Sequence, residues 1–205
     1  MTDLVTGDDG FARCSWGAST PEYREYHDAE WGHPVAEEAR VYEKLCLEGF
    51  QAGLSWLTIL RNRDAFRRAF RSFDPAVVSG FDDADVERLV ADASIVRHRG
   101  KITATVTNAR ATVALHEAGR SLAGLLWSHE PSRAVAPKHL RDLASSTAES
   151  KALSAELRRL GFVFVGPTTV YATMQALGVV NDHLHGCHWR AVVESERAAF
   201  SVPRG

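Results

Sequence analysis

Cysteine and histidine crowd the two ends of this 205-residue chain and are sparse between them. Residues 13–32 read RCSWGASTPEYREYHDAEWG, and residues 180–189 read VNDHLHGCHW. Cys14 and His27 are separated by twelve residues, His183 and Cys187 by three. Two thiols and two imidazoles suit a tetrahedral zinc ion, and a site closed by four protein ligands is structural. Such an ion would clip the chain ends together and supply folding free energy that frayed ends lack. If residues 183–187 are helical, His183 and Cys187 share a face. The Cys-x12-His spacing by itself is a weak signal. His185, His188 and His33 compete as ligands, and most histidine-rich tails are simply solvated.

Composition narrows the class. Three cysteines, Cys14, Cys46 and Cys187, cannot all pair within one chain, which excludes a disulfide scaffold and fits a reducing cytoplasm. Cys46 reads as a small buried hydrophobe. The first ten residues, MTDLVTGDDG, lack the regions of a signal peptide, and no apolar run approaches membrane-spanning length. Apolar residues make up 45% and charged residues 24%, as in a soluble globular protein. With a net charge of −2, a nucleic acid would have to be met by a local basic patch.

The pattern between the ends is helical. Ser19 and Glu22 have capping-box spacing beside Pro21, residues 35–49 and 55–71 read as helices, and Asp74-Pro75 and Asp82 or Asp83 open two short ones. Ile102, Val106, Ala109 and Val113 form one helix face, stopped by Gly119. Ser146 and Glu149 suggest a second capping box, followed by the buried stripe Leu153, Leu157 and Leu160. GFVFVG, residues 161–166, is the one strongly β-prone run. With no partner strand it reads as a tight apolar hairpin between two helices, the second opened by Pro167 and ended by Gly178. The expectation is an all-α fold: a flexible stretch 1–10, one helical domain over 11–192, and a C-terminal tail 193–205. If there are two lobes with a pocket between them, loop 128–139 divides them.

The stretch CLEGFQAGLSWLTILRNR, residues 46–63, places Glu48 at the end of an apolar helix. A carboxylate there is usually a solvated helix-end charge. Here Gly49 and Gly53 permit close backbone approach, Leu54 follows at an exposed turn, and Trp56 offers a flat face nearby. An aromatic wall plus a carboxylate acceptor suits a planar, electron-poor heterocycle. VRHRGK, residues 96–101, gathers Arg97, Arg99 and Lys101. It is either a basic helix start or a phosphate-facing patch.

Together, RCSW, EYHDAEWG, CLEGFQAGLSW, VRHRGKI, GFVFVG and VNDHLHGC closely resemble the 3-methyladenine DNA glycosylase I family of the helix-hairpin-helix glycosylase superfamily, and they span residues 13–187. The resemblance implies one structural zinc ion on Cys14, His27, His183 and Cys187. It implies a base pocket in which Tyr26 and Glu48 hydrogen-bond the damaged base and Trp56 stacks on it, with Trp16 and Trp31 beside them and Glu48 the leading catalytic carboxylate. Gly53 and Leu54 match the loop that probes the duplex. Phe164, Gly166 and Thr168 lie in the hairpin that grips the backbone, joined by Arg97, Arg99 and Lys101 as contacts to DNA. The activity implied is monofunctional excision of flipped-out 3-methyladenine from alkylated double-stranded DNA, releasing free base and leaving an abasic site. The protein is expected to be a bacterial, cytoplasmic, nucleoid-associated monomer with no membrane contact. Two features depart from the superfamily pattern. Phe164 stands where the first hairpin glycine is usual, and the region of the superfamily's catalytic Asp reads Asn181-Asp182. Asp182, next to a zinc ligand, is expected to orient that ligand.

Overall fold

The computed structural model describes residues 3–132 and 135–203. Eleven α-helices run in order through them: α1 (Pro21–Ala29), α2 (Glu38–Gln51), α3 (Trp56–Arg61), α4 (Arg63–Ala69), α5 (Pro75–Ser79), α6 (Asp83–Ala91), α7 (Arg99–Glu117), α8 (Leu122–Trp127), α9 (Ala148–Arg159), α10 (Pro167–Ala176) and α11 (His188–Ala199). The helical expectation holds, with one addition. Leu4–Thr6 and Ala12–Cys14 form an antiparallel strand pair, β1 and β2, in which Leu4 faces Cys14. The opening residues expected to fray are therefore partly tied into structure, and they hold Cys14 at a strand end.

Local chemistry explains where helices begin and break. Pro21 occupies the first turn of α1, and the residue before a proline is pushed into extended backbone. The cap is therefore Thr20, whose hydroxyl accepts from Tyr23 N, rather than Ser19. The second capping box likewise sits one residue later than Ser146–Glu149, between Thr147 and Ser150. Asp74 and Asp82 cap α5 and α6 as their sequence positions suggest. The helix expected over 55–71 is two, because the Asn62 side chain donates to Thr58 O (2.9 Å) and its backbone leaves helical geometry. Helix α11 continues past residue 192 to Ala199, across the point at 193 where the sequence places the start of a tail.

Helix α2 is the centre of the molecule. Residues 41–50 are all buried, as in a helix surrounded by protein on every side, and it packs against α7, α8 and α10. Yet that buried run includes Glu43, Lys44 and Glu48. Charges that far inside are found where they are paired or used. The hydrophobic core continues from α2 and α7 into Leu153 and Leu157 of α9, Phe162, and Val170 and Met174 of α10. It thus spans both sides of loop 128–139, in which residues 133 and 134 lie outside the described residues.

GFVFVG forms no strand and makes the tight turn between α9 and α10. From α7, the Asn108 amide donates to Val163 O (3.1 Å) and accepts from Val163 N (2.8 Å), while the Ser154 hydroxyl donates to Val165 O (2.6 Å). Phe164, in the position usual for glycine, adopts the left-handed conformation a glycine favours, with φ +56°. No helix of the described residues is long and apolar enough to cross a membrane.

Candidate functional site

Two centres share one aromatic wall. The first joins the chain ends. Cys14, His27, His183 and Cys187 are all buried, and one donor atom from each lies within 4.8 Å of the others. The two imidazoles are held from behind. His27 Nδ1 is 2.8 Å from Asp28 Oδ1, and Arg13 Nε donates to Asp28 Oδ2 at 2.8 Å. His183 Nε2 is 2.9 Å from Trp31 O. An acceptor behind each ring demands an N–H there, so the inward nitrogen carries the lone pair. Those inward atoms, His27 Nε2 and His183 Nδ1, lie 3.7 and 3.5 Å from Cys187 Sγ. The hydrogen bond from Cys14 pulls the Cys187 thiol far below its usual range, helped by both imidazoles, and holds Cys14 above it. The donor set, its tautomers and its burial fit a metal ion. Gly17 permits this closeness, because a Cβ there would lie 2.5 Å from the His27 ring.

The route by which the C-terminal pair arrives differs from expectation. Residues 181–187 are not helical. A turn at His185-Gly186, with Gly186 at φ +92°, brings Cys187 back beside His183. The competing histidines are elsewhere: His33 pairs with Glu196, His188 stacks on Phe11, and His185 is exposed. Asp182 does not orient His183. Its carboxylate accepts from Tyr171 Oη (2.7 Å) and Gln175 Nε2 (2.8 Å), which puts it behind the neighbouring cavity instead. The carboxylate that orients an imidazole is Asp28, whose i+1 position beside His27 was the unread signal.

Trp16 and Trp31 lead from the Cys/His cluster to the second centre. Trp16 packs edge-on to His27 and to Trp31, and Trp31 edge-on to His183. Both, with Tyr23, Tyr26, Glu48, Gln51, Trp56 and Gln175, line a cavity of about 350 Å³. The sequence-chosen set Tyr26, Glu48, Trp56, Trp16 and Trp31 therefore meets at one cavity. Glu48 is buried, and burial pushes its carboxyl above the usual range against the pull of Lys44. Trp56 Nε1 is buried and has no hydrogen-bond partner among the described residues.

Lys44, one turn before Glu48, was missed in the sequence and stands at the centre of the wall. Its Nζ lies 3.2 Å from Glu48 Oε1, donates to Tyr26 Oη, and sits 3.6 Å from the Trp56 ring centroid. Burial pulls the amine down to about 8, with Glu48 opposing. Lys44 lines a second cavity of about 160 Å³, on which Tyr26 and Trp56 also border. The unread signal was the i, i+4 spacing of two opposite charges on an otherwise apolar helix.

The expected DNA contacts sort into three groups. Gly53 (φ +83°) and Leu54 form an exposed turn, and Phe164 and Val163 are exposed at the α9–α10 turn. A Cβ on Gly49 would lie 3.6 Å from Phe164 Cβ, so Phe164 sits against the last turn of α2. Gly166 caps α10 without a side-chain partner, and Thr168 is exposed in its first turn. Arg97 is exposed with no ion-pair partner among the described residues, whereas Arg99 is held by Glu87 at 2.6 Å. Lys101 is a correction. Its ammonium is buried and donates to Phe50 O and Ala52 O, so it anchors the end of α2 and the Gly53 turn rather than facing phosphate.

A family profile described as Methyladenine glycosylase matches residues 16–191. DNA-3-methyladenine glycosylase 1 of Escherichia coli strain K12 is 47% identical over 178 residues, covering 85% of this chain and 95% of that protein. A crystal structure of 3-methyladenine DNA glycosylase I superposes with a TM-score of 0.83 at 44% identity, over 86% of this chain and 98% of that one. The Staphylococcus aureus enzyme, solved to show the structural basis of 3-methyladenine recognition, superposes with a TM-score of 0.82 at 34% identity, over 87% and 96% of the two chains.

Proposed function

Because the chain belongs to the methyladenine glycosylase family, we propose that its aromatic cavity receives 3-methyladenine flipped out of alkylated double-stranded DNA and that the enzyme hydrolyses the N-glycosidic bond. The observation that carries this reading is the meeting of Tyr26, Glu48 and Trp56 on one cavity of about 350 Å³, next to an exposed Gly53-Leu54 turn.

Methylation at N3 gives the adenine ring a positive charge and makes it a good leaving group. Selection then matters more than acid catalysis. Trp56 stacks on the cationic ring, a contact worth roughly 0.5–2 kcal/mol. Tyr26 and Glu48 hold its polar edge, and the Glu48 carboxylate complements the charge. An unmodified adenine lacks that charge and costs about a few kcal/mol more to extrude from its pair. The C1′–N9 bond breaks with its electrons passing to the base, an oxocarbenium-like centre develops, and water adds to C1′ and loses a proton. Glu48 touches the base and serves recognition and charge stabilisation. Lys44 is sealed behind Tyr26 and Trp56, and no lysine among the described residues lines the larger cavity, which fits a monofunctional enzyme that leaves an abasic site.

Cys14, His27, His183 and Cys187 would hold a zinc ion. With four protein ligands it is structural and supplies stability rather than a reactive water. Trp16 and Trp31 pack against the imidazoles that would hold it, so those rings keep the aromatic wall in place. On the DNA side the α9–α10 turn acts as the hairpin of the helix-hairpin-helix superfamily. Its α10 amides after Pro167 are available to a phosphate, Leu54 and Phe164 present apolar tips, and Arg97 supplies charge. The enzyme acts as a monomer on bacterial cytoplasmic DNA.

Incubation with N-methylated duplex DNA, followed by chromatography of the released bases, tests the reading. Free 3-methyladenine and intact abasic strands are expected. Tight DNA binding without base release would make the protein a binding module and overturn the assignment.

A further inference from the structure

Lys44 is a buried charge that the reaction as described does not use. Its ammonium meets all three groups that would hold the base: Tyr26 Oη, Glu48 Oε1 at 3.2 Å, and the Trp56 ring at 3.6 Å. The surrounding charges are largely paired with one another. Glu30 binds Arg63 at 2.5 and 2.8 Å, Glu43 binds Arg40 at 3.0 Å and Arg67 at 2.9 Å, and His33 binds Glu196. Glu48 is thus the carboxylate in contact with Lys44, and Lys44 its one ion-pair partner among the described residues.

An ammonium has only donors. The Tyr26 oxygen that faces it must accept, so the phenolic proton points away from Lys44. Beside it, the paired Glu48 is kept as a carboxylate, which only accepts. We propose that Lys44 is a positioning residue that sets the polarity of the recognition edge, fixing Tyr26 as donor and Glu48 as acceptor toward the flipped base. A purine edge carrying one acceptor next to one donor is matched, and one carrying two donors or two acceptors is not. This inference rests on the reading of the cavity given above.

The amine lies near 8 because burial disfavours its charge, and burial lifts Glu48 from the other direction. The two protonation states are therefore coupled within reach of ordinary assays. Above about pH 8 the amine loses its proton and can accept from Tyr26, which reverses the edge. Without the amine, Glu48 has only the burial penalty and takes up a proton at higher pH.

The test is the pH profile of kcat/KM for 3-methyladenine release by the wild-type enzyme and by Lys44→Met and Lys44→Arg, with thermal melting as a folding control. The wild type should lose activity above about pH 8. In Lys44→Met that alkaline limb should vanish and the acidic limb should move up. Its activity relative to wild type should then be at least about fourfold lower at pH 6.5 than at pH 8.5, because a wild type whose amine lies near 8 keeps only about a quarter of its activity at pH 8.5. Lys44→Arg keeps its charge at high pH, so its alkaline limb should also disappear while its acidic limb stays in place. Should Lys44→Met fail to fold, the Arg variant alone decides. A limb near pH 8 that persists in Lys44→Arg, or a Met profile that is merely scaled down without changing shape, overturns the proposal while leaving the glycosylase reading intact. A wild type that releases no base at any pH overturns both.

Discussion

The Cys/His cluster and the aromatic cavity lie on either side of Trp16 and Trp31, and they are built in opposite ways. At the cluster every donor has a partner: Asp28 and Trp31 O hold the outer imidazole nitrogens, and the inner atoms face one another within 4.8 Å. At the cavity the groups are unfinished. Trp56 Nε1 has no partner among the described residues, Glu48 is held above its usual range by burial, and about 350 Å³ stands open between aromatic rings. A closed set of ligands stabilises a fold, and an open set of costly groups stores free energy that a ligand can recover. The two centres should therefore fail differently, one through folding and the other through chemistry.

Four perturbations probe that difference, from the largest expected effect to the smallest. Removing the metal with a strong chelator, or replacing Cys187 by Ala, should lower the melting temperature by about 10 °C or more, because several kcal/mol of folding free energy are lost. Activity should fall only as the fold does. Immediate loss of turnover in a protein with an unchanged melting curve would place the ion in the chemistry and erase the contrast. Glu48→Gln should lower kcat/KM for base release about 10²-fold, as expected for removing one charge-stabilising contact. It should keep its metal and melt within a few degrees of wild type. An unchanged rate on methylated DNA would remove Glu48 from the mechanism. Trp56→Ala should weaken binding of free 3-methyladenine by about 10–100-fold, the loss of one base–aromatic stack of roughly 1–3 kcal/mol, as read by calorimetry. A loss confined to DNA affinity would move Trp56 from the base pocket to the duplex surface. Phe164→Gly should change stability by no more than about 1 kcal/mol, because relief of left-handed strain offsets the loss of a half-exposed ring. Its effect should appear instead as weaker binding to duplex DNA in a fluorescence titration.

The same contrast explains what the amino-acid sequence disclosed. The helices were legible where capping residues, prolines and periodic apolar positions agree, as at Asp74-Pro75, Asp82 and the Ile102–Ala109 face. The strand pair at Leu4–Thr6 was not, because a three-residue strand depends on its partner across a turn rather than on its own pattern. The four candidate metal donors stood out by residue type, since few other uses gather two cysteines and two histidines. The support behind them did not. Asp28 is one aspartate among many, and Asp182, nearer in sequence to a ligand, was chosen in its place. At the cavity, Glu48 and Trp56 were found because a carboxylate and an indole flank a glycine-rich turn. Lys44 escaped because a lysine on a helix normally reaches solvent, and only the burial of all of residues 41–50 turns it inward. Lys101 was misplaced by the same logic in reverse. A lysine in a basic run looks like a phosphate ligand until its ammonium is seen on Phe50 O and Ala52 O.

A crystal structure of this protein with free 3-methyladenine tests the central claim most directly. The base should lie in the larger cavity, its ring flat against Trp56, with its polar edge within hydrogen-bonding distance of both Tyr26 Oη and the Glu48 carboxylate. A base seated instead in the smaller cavity on the Lys44 side of Trp56, or bound without contact to Glu48, would contradict it.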